Sequence, residues 1–164
     1  MSLKQEYELL RRVPFFAEIE PAKLKLLAFM SERVGFDDGK FLCRQGDPAD
    51  AAYLIIEGEA EIILEGEAGP ITVATLGANE MVGEIAILYG GRRTATVRAK
   101  GRLVTLRISK EPFLRMVREF PSMAVSIMQE LAHRVDATNN QLRSALAEVR
   151  QLRAASAAPA PAAV

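Results

Sequence analysis

The chain has one cysteine, one histidine and no tryptophan among its 164 residues. A lone cysteine, Cys43, cannot form an internal disulfide. A lone histidine, His133, removes the imidazole and thiolate clusters on which most zinc sites depend. A zinc enzyme or a cysteine-histidine hydrolase is therefore nearly excluded, and we expect neither a metal cofactor nor an enzymatic activity.

Long apolar runs are also missing. No window reaches the roughly 18 uninterrupted apolar residues of a membrane span, and the N-terminal segment mixes acidic and basic residues, unlike a signal peptide. We therefore expect a cytoplasmic protein that does not enter a membrane. Its 49% hydrophobic and 26% charged residues are typical of a globular chain, and the length suits one domain at roughly 150 residues each.

The formal net charge is zero, but the charges are segregated. Residues 45–91 hold nine acidic residues and no Lys or Arg, whereas residues 92–110 hold seven basic residues and no acid. The basic stretch could bind nucleic acid. The alternating runs within it favour the simpler interpretation, in which basic strands pair with acidic strands.

Hydrophobic periodicity divides the chain into three parts. Residues 3–34 are predicted to be helical, residues 40–108 to be β strands between glycine turns, and the chain from Ser109 onward to be helical again, with a long helix over about 121–153. Strands are predicted at 40–44, 52–56, 60–64, 71–76, 94–98 and 103–108. Many short strands with glycine turns indicate a sandwich or barrel. The Ala/Pro-rich segment 154–164 predicts a disordered tail.

One glycine is not explained as a simple turn. Gly83 and Glu84 open a short apolar run that could form one helical turn, and Arg93 follows nine residues after Glu84. A glycine lets backbone approach a ligand, the N–H groups at a helix start donate to phosphate, and a guanidinium adds a permanent charge. The combination suits an anion site. On spacing alone, a glycine bulge with a Glu84–Arg93 salt bridge is the simpler explanation.

The wider match favours the anion site. The run GEIAILYGGRRTATV at 83–97 resembles the phosphate-binding cassette of the cyclic nucleotide-binding domain family, with Val82 in place of the leading Phe and Arg92 in place of the usual Pro. Residues 10–16 resemble the family's opening helix and turn, and residues 45–47 and 53–58 resemble its early strands. The resemblance implies an α+β fold, in which an eight-stranded β jelly-roll barrel (a double-stranded β-helix) is flanked by N-terminal helices and C-terminal lid and dimerisation helices.

The resemblance also implies a ligand and its contacts. A cyclic nucleotide, cAMP ahead of cGMP, would place its phosphate over the start of the short helix and against Arg93, while Glu84 would accept the ribose 2′-hydroxyl. An apolar wall would lie beside the base, and part of the long helix would reach it. The implied contacts are Gly83, Glu84, Ile85, Ala86, Arg93, Thr94 and Ala95 in the cassette, Ile62 and Val73 in the wall, and Thr138 and Asn139 on the long helix.

The long helix carries an apolar seam. Its residues recur alternately every three and four positions, as in a two-stranded coiled coil, and predict a homodimer. Packing of the same stripe on the chain's own barrel is the alternative. The seam consists of Met128, Leu131, Val135, Thr138, Leu142, Ala145, Val149 and Leu152.

The sequence thus predicts a cyclic nucleotide-binding domain over residues 1–153. Because the long helix is followed by the Ala/Pro segment and not by a helix-turn-helix, we expect a receptor without a DNA-binding domain. Its C-terminal helices would move on ligand binding and signal to an unknown effector protein. The alternative function is a dimerisation adaptor that keeps the fold and binds no nucleotide.

Overall fold

The structure, a computed structural model, describes residues 2–157, except for the side chain of Phe15. Helices stand at both ends of a β region. The helices are α1 (Leu3–Arg11), α2 (Pro21–Phe29), α3 (Glu84–Tyr89), α4 (Lys110–Glu119) and α5 (Pro121–Ala157), with a short 3-10 helix at Pro14–Phe16. The strands are β1 (Glu32–Phe36), β2 (Phe41–Cys43), β3 (Ala51–Gly66), β4 (Gly69–Leu76), β5 (Met81–Val82) and β6 (Thr96–Ser109). Two compact units result: the first ends at Ala124, and the second begins at Val125.

The strands form one antiparallel sheet around β3 and β6. Its order is β1-β6-β3-β4, with β2 paired to β6 and β5 paired to β3. The pairing of β3 with β6 runs from Ala51 opposite Ser109 to Ile63 opposite Thr96. This register brings the chain just before β3 close to the end of β6. The α+β class predicted from the sequence is confirmed.

Two glycines lie inside the long central strands. Gly58 in β3 and Gly101 in β6 have φ values of 88° and 73°, in the left-handed region that other residues avoid. A Cβ atom on Gly58 would overlap the carbonyl oxygen of Arg102. The predicted runs 52–56 and 60–64 therefore belong to one strand, as do most of 94–98 and 103–108. The described residues thus form six strands, and β3 and β6 each cover two of the runs that were predicted separately.

The N-terminal part differs from the prediction. Residues 3–34 were expected to be helical, but α2 ends at Phe29 and β1 begins at Glu32. Glu32 pairs with Arg107 and Phe36 with Leu103, so β1 lies beside β6. The half-buried Val34 and Phe36 alternate with exposed neighbours, which is a two-residue period and not a helical one.

The C-terminal helices agree more closely with their predicted bounds. Ser109 is the N-cap residue of α4, which ends at Glu119 as expected. Helix α5 begins at Pro121 and continues to Ala157, four residues past the predicted end at Arg153. Residues 154–157, expected to be disordered, are thus helical. The rest of the predicted tail lies outside the described residues.

A compact apolar cluster supports the centre of the sheet. It joins β2, β3, β5 and β6, and Ile62 packs against it. Val82, which stands where the family pattern has Phe, is buried within it. The cluster comprises Leu42, Ala51, Tyr53, Ile55, Ala60, Val82, Val97, Ala99 and Leu103. Because Val82 directly precedes Gly83, this core fixes the start of the segment predicted to bind an anion.

Basic and acidic strands pair, as the charge segregation predicted. Arg98 on β6 binds Glu61 on β3 at 2.7 Å, and Lys100 binds Glu59 at 2.9 Å. Such exposed pairs contribute about 0–1 kcal/mol each. They balance the basic segment with acids of the same sheet, which argues against a nucleic-acid surface. Within residues 2–157, no helix has both the length and the apolar character needed to cross a membrane.

Candidate functional site

Gly83 has a backbone conformation and surroundings that favour glycine. It follows β5 and caps the N-terminus of α3 with φ of 85°. A Cβ atom here would overlap Nη1 of Arg93 and lie 3.2 Å from the carbonyl oxygen of Ala51. The six-residue helix ends at Tyr89, and its C-cap residue Gly90 has a φ of 72°, which is also left-handed. The predicted single helical turn is therefore present.

Arg93 is buried against this glycine, with 3% of its surface exposed. Its Nη1 donates to the carbonyl oxygen of Gly83 at 3.2 Å. Its Nη2 donates to Asp50 Oδ1 at 2.9 Å and to the Ala51 carbonyl at 2.7 Å. The guanidinium carbon lies 6.0 Å from the centre of the Tyr53 ring. These contacts fix the guanidinium beside the start of α3.

One donor of that guanidinium is unused. The Nε atom of Arg93 is buried and has no hydrogen-bond partner among the described residues. A buried polar group of this kind usually has a partner, and leaving it without one costs about 1–3 kcal/mol. An acceptor from a ligand would satisfy it.

The structure distinguishes Arg93 from its neighbour. Arg92 is exposed, and its Nη1 donates to the Gly46 carbonyl at 2.9 Å. The backbone N–H of Arg93 donates to the Asp47 carbonyl at 2.8 Å. Only the second of the two consecutive arginines therefore faces the interior beside Gly83.

The other residues predicted on α3 differ in exposure. Glu84 and Ala86 are each 2% exposed, whereas Ile85 is partly open to solvent. A carboxylate is rarely buried this far unless it has polar partners. Glu84 thus joins Arg93 as one of the few buried charged residues of the described chain.

Asp50 is a part of this site that the sequence did not indicate. Its Oδ1 binds Arg93 and its Oδ2 accepts from Nη2 of Arg107 at 2.7 Å. Partial burial disfavours its charge, but hydrogen bonds from Arg107, from the backbone and from Arg93, together with the charge of Arg107, outweigh this and lower the pKa of Asp50. One carboxylate therefore joins two guanidinium groups.

The remaining predicted contacts of the β region lie on neighbouring strands. Ile62 on β3 is half-buried and pairs with Val97 on β6 and Ala74 on β4. Val73 is exposed and sits where the register of β3 and β4 shifts. Thr94 is exposed and Ala95 half-buried, between Arg93 and β6. The structure brings Gly83 and Arg93 into contact; the base wall remains a prediction.

Thr138 and Asn139 belong to the second compact unit. Both are exposed on α5, and the Thr138 hydroxyl donates to the Arg134 carbonyl at 2.7 Å. Their predicted role at the base remains a prediction. As for a metal, no three Asp, Glu, His or Cys side chains in the described part of the chain are grouped as a metal site requires.

Comparisons with known sequences agree with this arrangement. The family model described as the cyclic nucleotide-binding domain matches residues 33–120. The cAMP-dependent protein kinase regulatory subunit of Blastocladiella emersonii is 35% identical over 109 residues, which are 66% of this chain and 27% of that protein. The CRP-like cAMP-activated global transcriptional regulator of Mycobacterium tuberculosis is 26% identical over 136 residues, 82% of this chain and 61% of that one. The chain spans about a fifth to three fifths of the length of the curated relatives it matches.

Solved structures agree as well. The catabolite activator protein of Thermus thermophilus superposes with a TM-score of 0.69 at 28% identity, over 79% of this chain and 62% of that one. The regulatory domain of Toxoplasma gondii PKA, solved with cAMP, gives 0.72 at 22% identity over 80% of this chain and 50% of that one. At 22% identity, the Toxoplasma gondii structure supports the fold alone. The two structures together confirm the predicted jelly-roll class. With the family model matched over more than half of its length, this chain belongs to the cyclic nucleotide-binding domain family.

Proposed function

We propose that this domain is a receptor for a cyclic purine nucleotide, cAMP in preference to cGMP, and that it binds the ligand at Gly83–Ala86 and Arg93. The observation that carries the proposal is the buried guanidinium of Arg93, whose Nε has no acceptor among the described residues. An arginine is always charged, so burial favours a site where an anion completes its contacts. The cyclic phosphate carries the single negative charge that fits.

The charge around Arg93 supports an anionic ligand. Arg93 and Arg107 share the one carboxylate of Asp50, so these three side chains together carry one net positive charge. Gly83 caps α3 with a left-handed φ, and because it lacks a Cβ the Arg93 guanidinium can lie against the backbone where α3 begins. Backbone N–H groups at that position suit phosphate oxygens, in addition to the guanidinium.

Glu84 supplies the contact to the sugar. An acid beside a phosphate is repulsive unless its lone pairs accept from a donor, and the ribose 2′-hydroxyl is the donor that this ligand offers. The carboxylate is almost fully buried, so losing that donor is costly. A 2′-deoxy analogue should bind about 5- to 150-fold more weakly, which corresponds to about 1–3 kcal/mol.

The base would contact Ile62, Val73, Thr94 and Ala95, and the C-terminal helices would complete the site. We expect Thr138 and Asn139 on α5 to reach the base. A ligand can shift the helices only if it binds one arrangement more tightly than the other, so contacts of this kind are required for signalling. Relatives support the ligand: matched proteins are named as cAMP-dependent kinase regulatory subunits and as a cAMP-activated regulator.

The signal would pass through a homodimer to an unknown effector protein. Large apolar side chains of the α5 seam are 42–64% exposed in the single chain, among them Met128, Val135, Leu142, Val149 and Leu152. A continuous stripe at heptad spacing buries itself when two such helices pair. The cytoplasmic location inferred from the sequence remains part of the same proposal.

Calorimetric titration of the whole chain with cAMP, cGMP and 2′-deoxy-cAMP tests the function. We expect saturable heat with both cyclic nucleotides, tighter binding of cAMP, and weaker binding of the deoxy analogue. No heat from either cyclic nucleotide at high micromolar concentration would refute the proposal and favour the adaptor that keeps the fold without the ligand.

A further inference from the structure

We propose that Arg107 is a positioning residue for nucleotide binding, which acts on Arg93 through the shared carboxylate of Asp50. The proposal rests on the proposed function, because it concerns how Arg93 is presented to the phosphate. Arg107 is the third residue from the end of β6. Neither the cassette pattern nor the spacing of residues in the sequence assigned it a role.

The geometry defines a chain of three charged groups. Arg107 Nη2 lies 2.7 Å from Asp50 Oδ2, and Arg93 Nη2 lies 2.9 Å from Asp50 Oδ1. Each oxygen of the carboxylate thus accepts a hydrogen bond from a different arginine. The Asp50 side chain is 61% exposed, so its orientation depends on these two partners and not on packing.

Arg107 is itself held in place. Its backbone pairs with Glu32 of β1 on one side and with Tyr53 of β3 on the other. Its Nη1 donates to Ser109 Oγ at 3.2 Å. The N–H of Lys110 donates to the Asp50 carbonyl at 2.8 Å. The backbone of Asp50 therefore binds Lys110, just after β6, and its side chain binds Arg107. Arg107 itself is fixed because its strand pairs with a neighbour on each side.

The positive charge of Arg107 offsets the negative charge that Asp50 places beside Arg93. Asp50 orients Arg93, but its negative charge also competes with a phosphate for the same guanidinium. Arg107 offsets that charge, so that Arg93 can be oriented without being neutralised. Without Arg107, the whole charge of Asp50 would act on Arg93, and an anionic ligand would be attracted less.

A double-mutant cycle tests the proposal on the whole chain. Cyclic AMP is titrated into wild type, Arg107→Gln, Asp50→Asn and the double variant. The control is Arg98→Gln, which breaks a 2.7 Å ion pair with Glu61 on the same strand. We expect Arg107→Gln to weaken binding about three- to tenfold, Arg98→Gln to leave it unchanged, and the effect of Arg107→Gln to disappear in the Asp50→Asn background.

Conservative replacement and a spectroscopic readout complete the test. Arg107→Lys keeps the charge and should weaken binding less than Arg107→Gln; it also serves as the variant in both backgrounds should Arg107→Gln not fold. The Arg93 Nε–H resonance, assigned by its loss in Arg93→Lys, should shift in Arg107→Gln and stay in place when Asp50 is already Asn. Equal effects of the Arg107 variants in both backgrounds, or a loss matched by Arg98→Gln, would overturn the proposal.

The two hypotheses fail differently. A wild-type chain that binds no cyclic nucleotide contradicts the proposed function, and the Nε–H resonance then still reports whether Arg107 positions Arg93. A wild-type chain that binds, with affinity independent of Arg107, contradicts the positioning role alone.

Discussion

Nη1 of Arg93 lies 3.2 Å from the carbonyl oxygen of Gly83, to which it donates a hydrogen bond. The arginine thus binds the backbone of the N-cap residue of α3, and the absence of a Cβ on that glycine leaves room for the guanidinium. Ten residues separate the two in sequence, and the short helix with its two glycine ends bridges that distance. The position of the Arg93 guanidinium is therefore coupled to the backbone conformation of Gly83 through this contact.

Replacement of Gly83 by Ala should impair both stability and binding. The φ of 85° costs an alanine about 1–2 kcal/mol, and its Cβ would also displace the Arg93 guanidinium. Gly90→Ala is the matched control, because Gly90 has φ of 72° at the other end of α3 and open space around its Cβ position. Urea unfolding should show a loss of stability for both variants, larger for Gly83→Ala because of the added overlap, whereas titration with cAMP should show a loss of more than about tenfold for Gly83→Ala alone. Equal affinities would refute the steric coupling.

Acid should lower the stability of the fold in part by protonating Asp50. The pKa of Asp50 is lowered in the folded state, so its charge stabilises the fold above the unfolded-state value of about 4 and this contribution is lost as pH falls below it. Unfolding midpoints at pH 5 and pH 3 should therefore fall less in Asp50→Asn than in wild type. Asp136→Asn, at an exposed position of α5, should retain the full wild-type fall. A variant Asp50→Asn as acid-sensitive as wild type would contradict this account.

The α5 seam should hold two chains together. A charge at the centre of a coiled-coil seam is strongly unfavourable, so Leu142→Glu should convert a dimer of about twice the 18.0 kDa chain mass into a monomer. His133→Glu, on the outer face of the heptad, is the control and should leave the mass unchanged. Light scattering gives the mass directly. A wild type that is monomeric at all concentrations would contradict the dimer.

Residues of α5 should contribute to affinity if the helix closes over the base. Asn139→Ala and Thr138→Val should each weaken cAMP binding about five- to tenfold, the loss of one hydrogen bond to a ligand. Asn140→Ala changes an equally exposed amide on the outer face of the same helix and should have no effect. Affinities that are the same in all three variants would exclude these contacts with the base.

Local signals in the sequence were sufficient for some of the site. Gly83 and Glu84 before a short apolar run indicated a single helical turn, and that turn is present between two left-handed glycines. The motif also distinguished Arg93 from Arg92, and the structure buries the one and exposes the other. The helical turn depends on neighbours within a few residues, and the choice of Arg93 on the residues that follow it in the motif.

Features that depend on strand register could not be predicted in this way. Asp50 was one of nine acids in its segment, and it reaches Arg107 because the start of β3 pairs with the end of β6. Residues 32–34, the first part of β1, were assigned to a helix because their apolar content is small and their partner strand lies some seventy residues away. Turn patterns also split β3 and β6, since a glycine inside a strand resembles a glycine between two strands.

The central claim is that Arg93 binds the phosphate of a cyclic nucleotide. Calorimetric titration of cAMP into Arg93→Gln and into Arg92→Gln tests it most directly, with circular dichroism to confirm that both variants are folded. Losing the buried charge opposite a phosphate should cost about 2–5 kcal/mol, or at least about thirtyfold in affinity, while Arg92→Gln should stay within about threefold of wild type. Wild-type affinity in a folded Arg93→Gln would contradict the account.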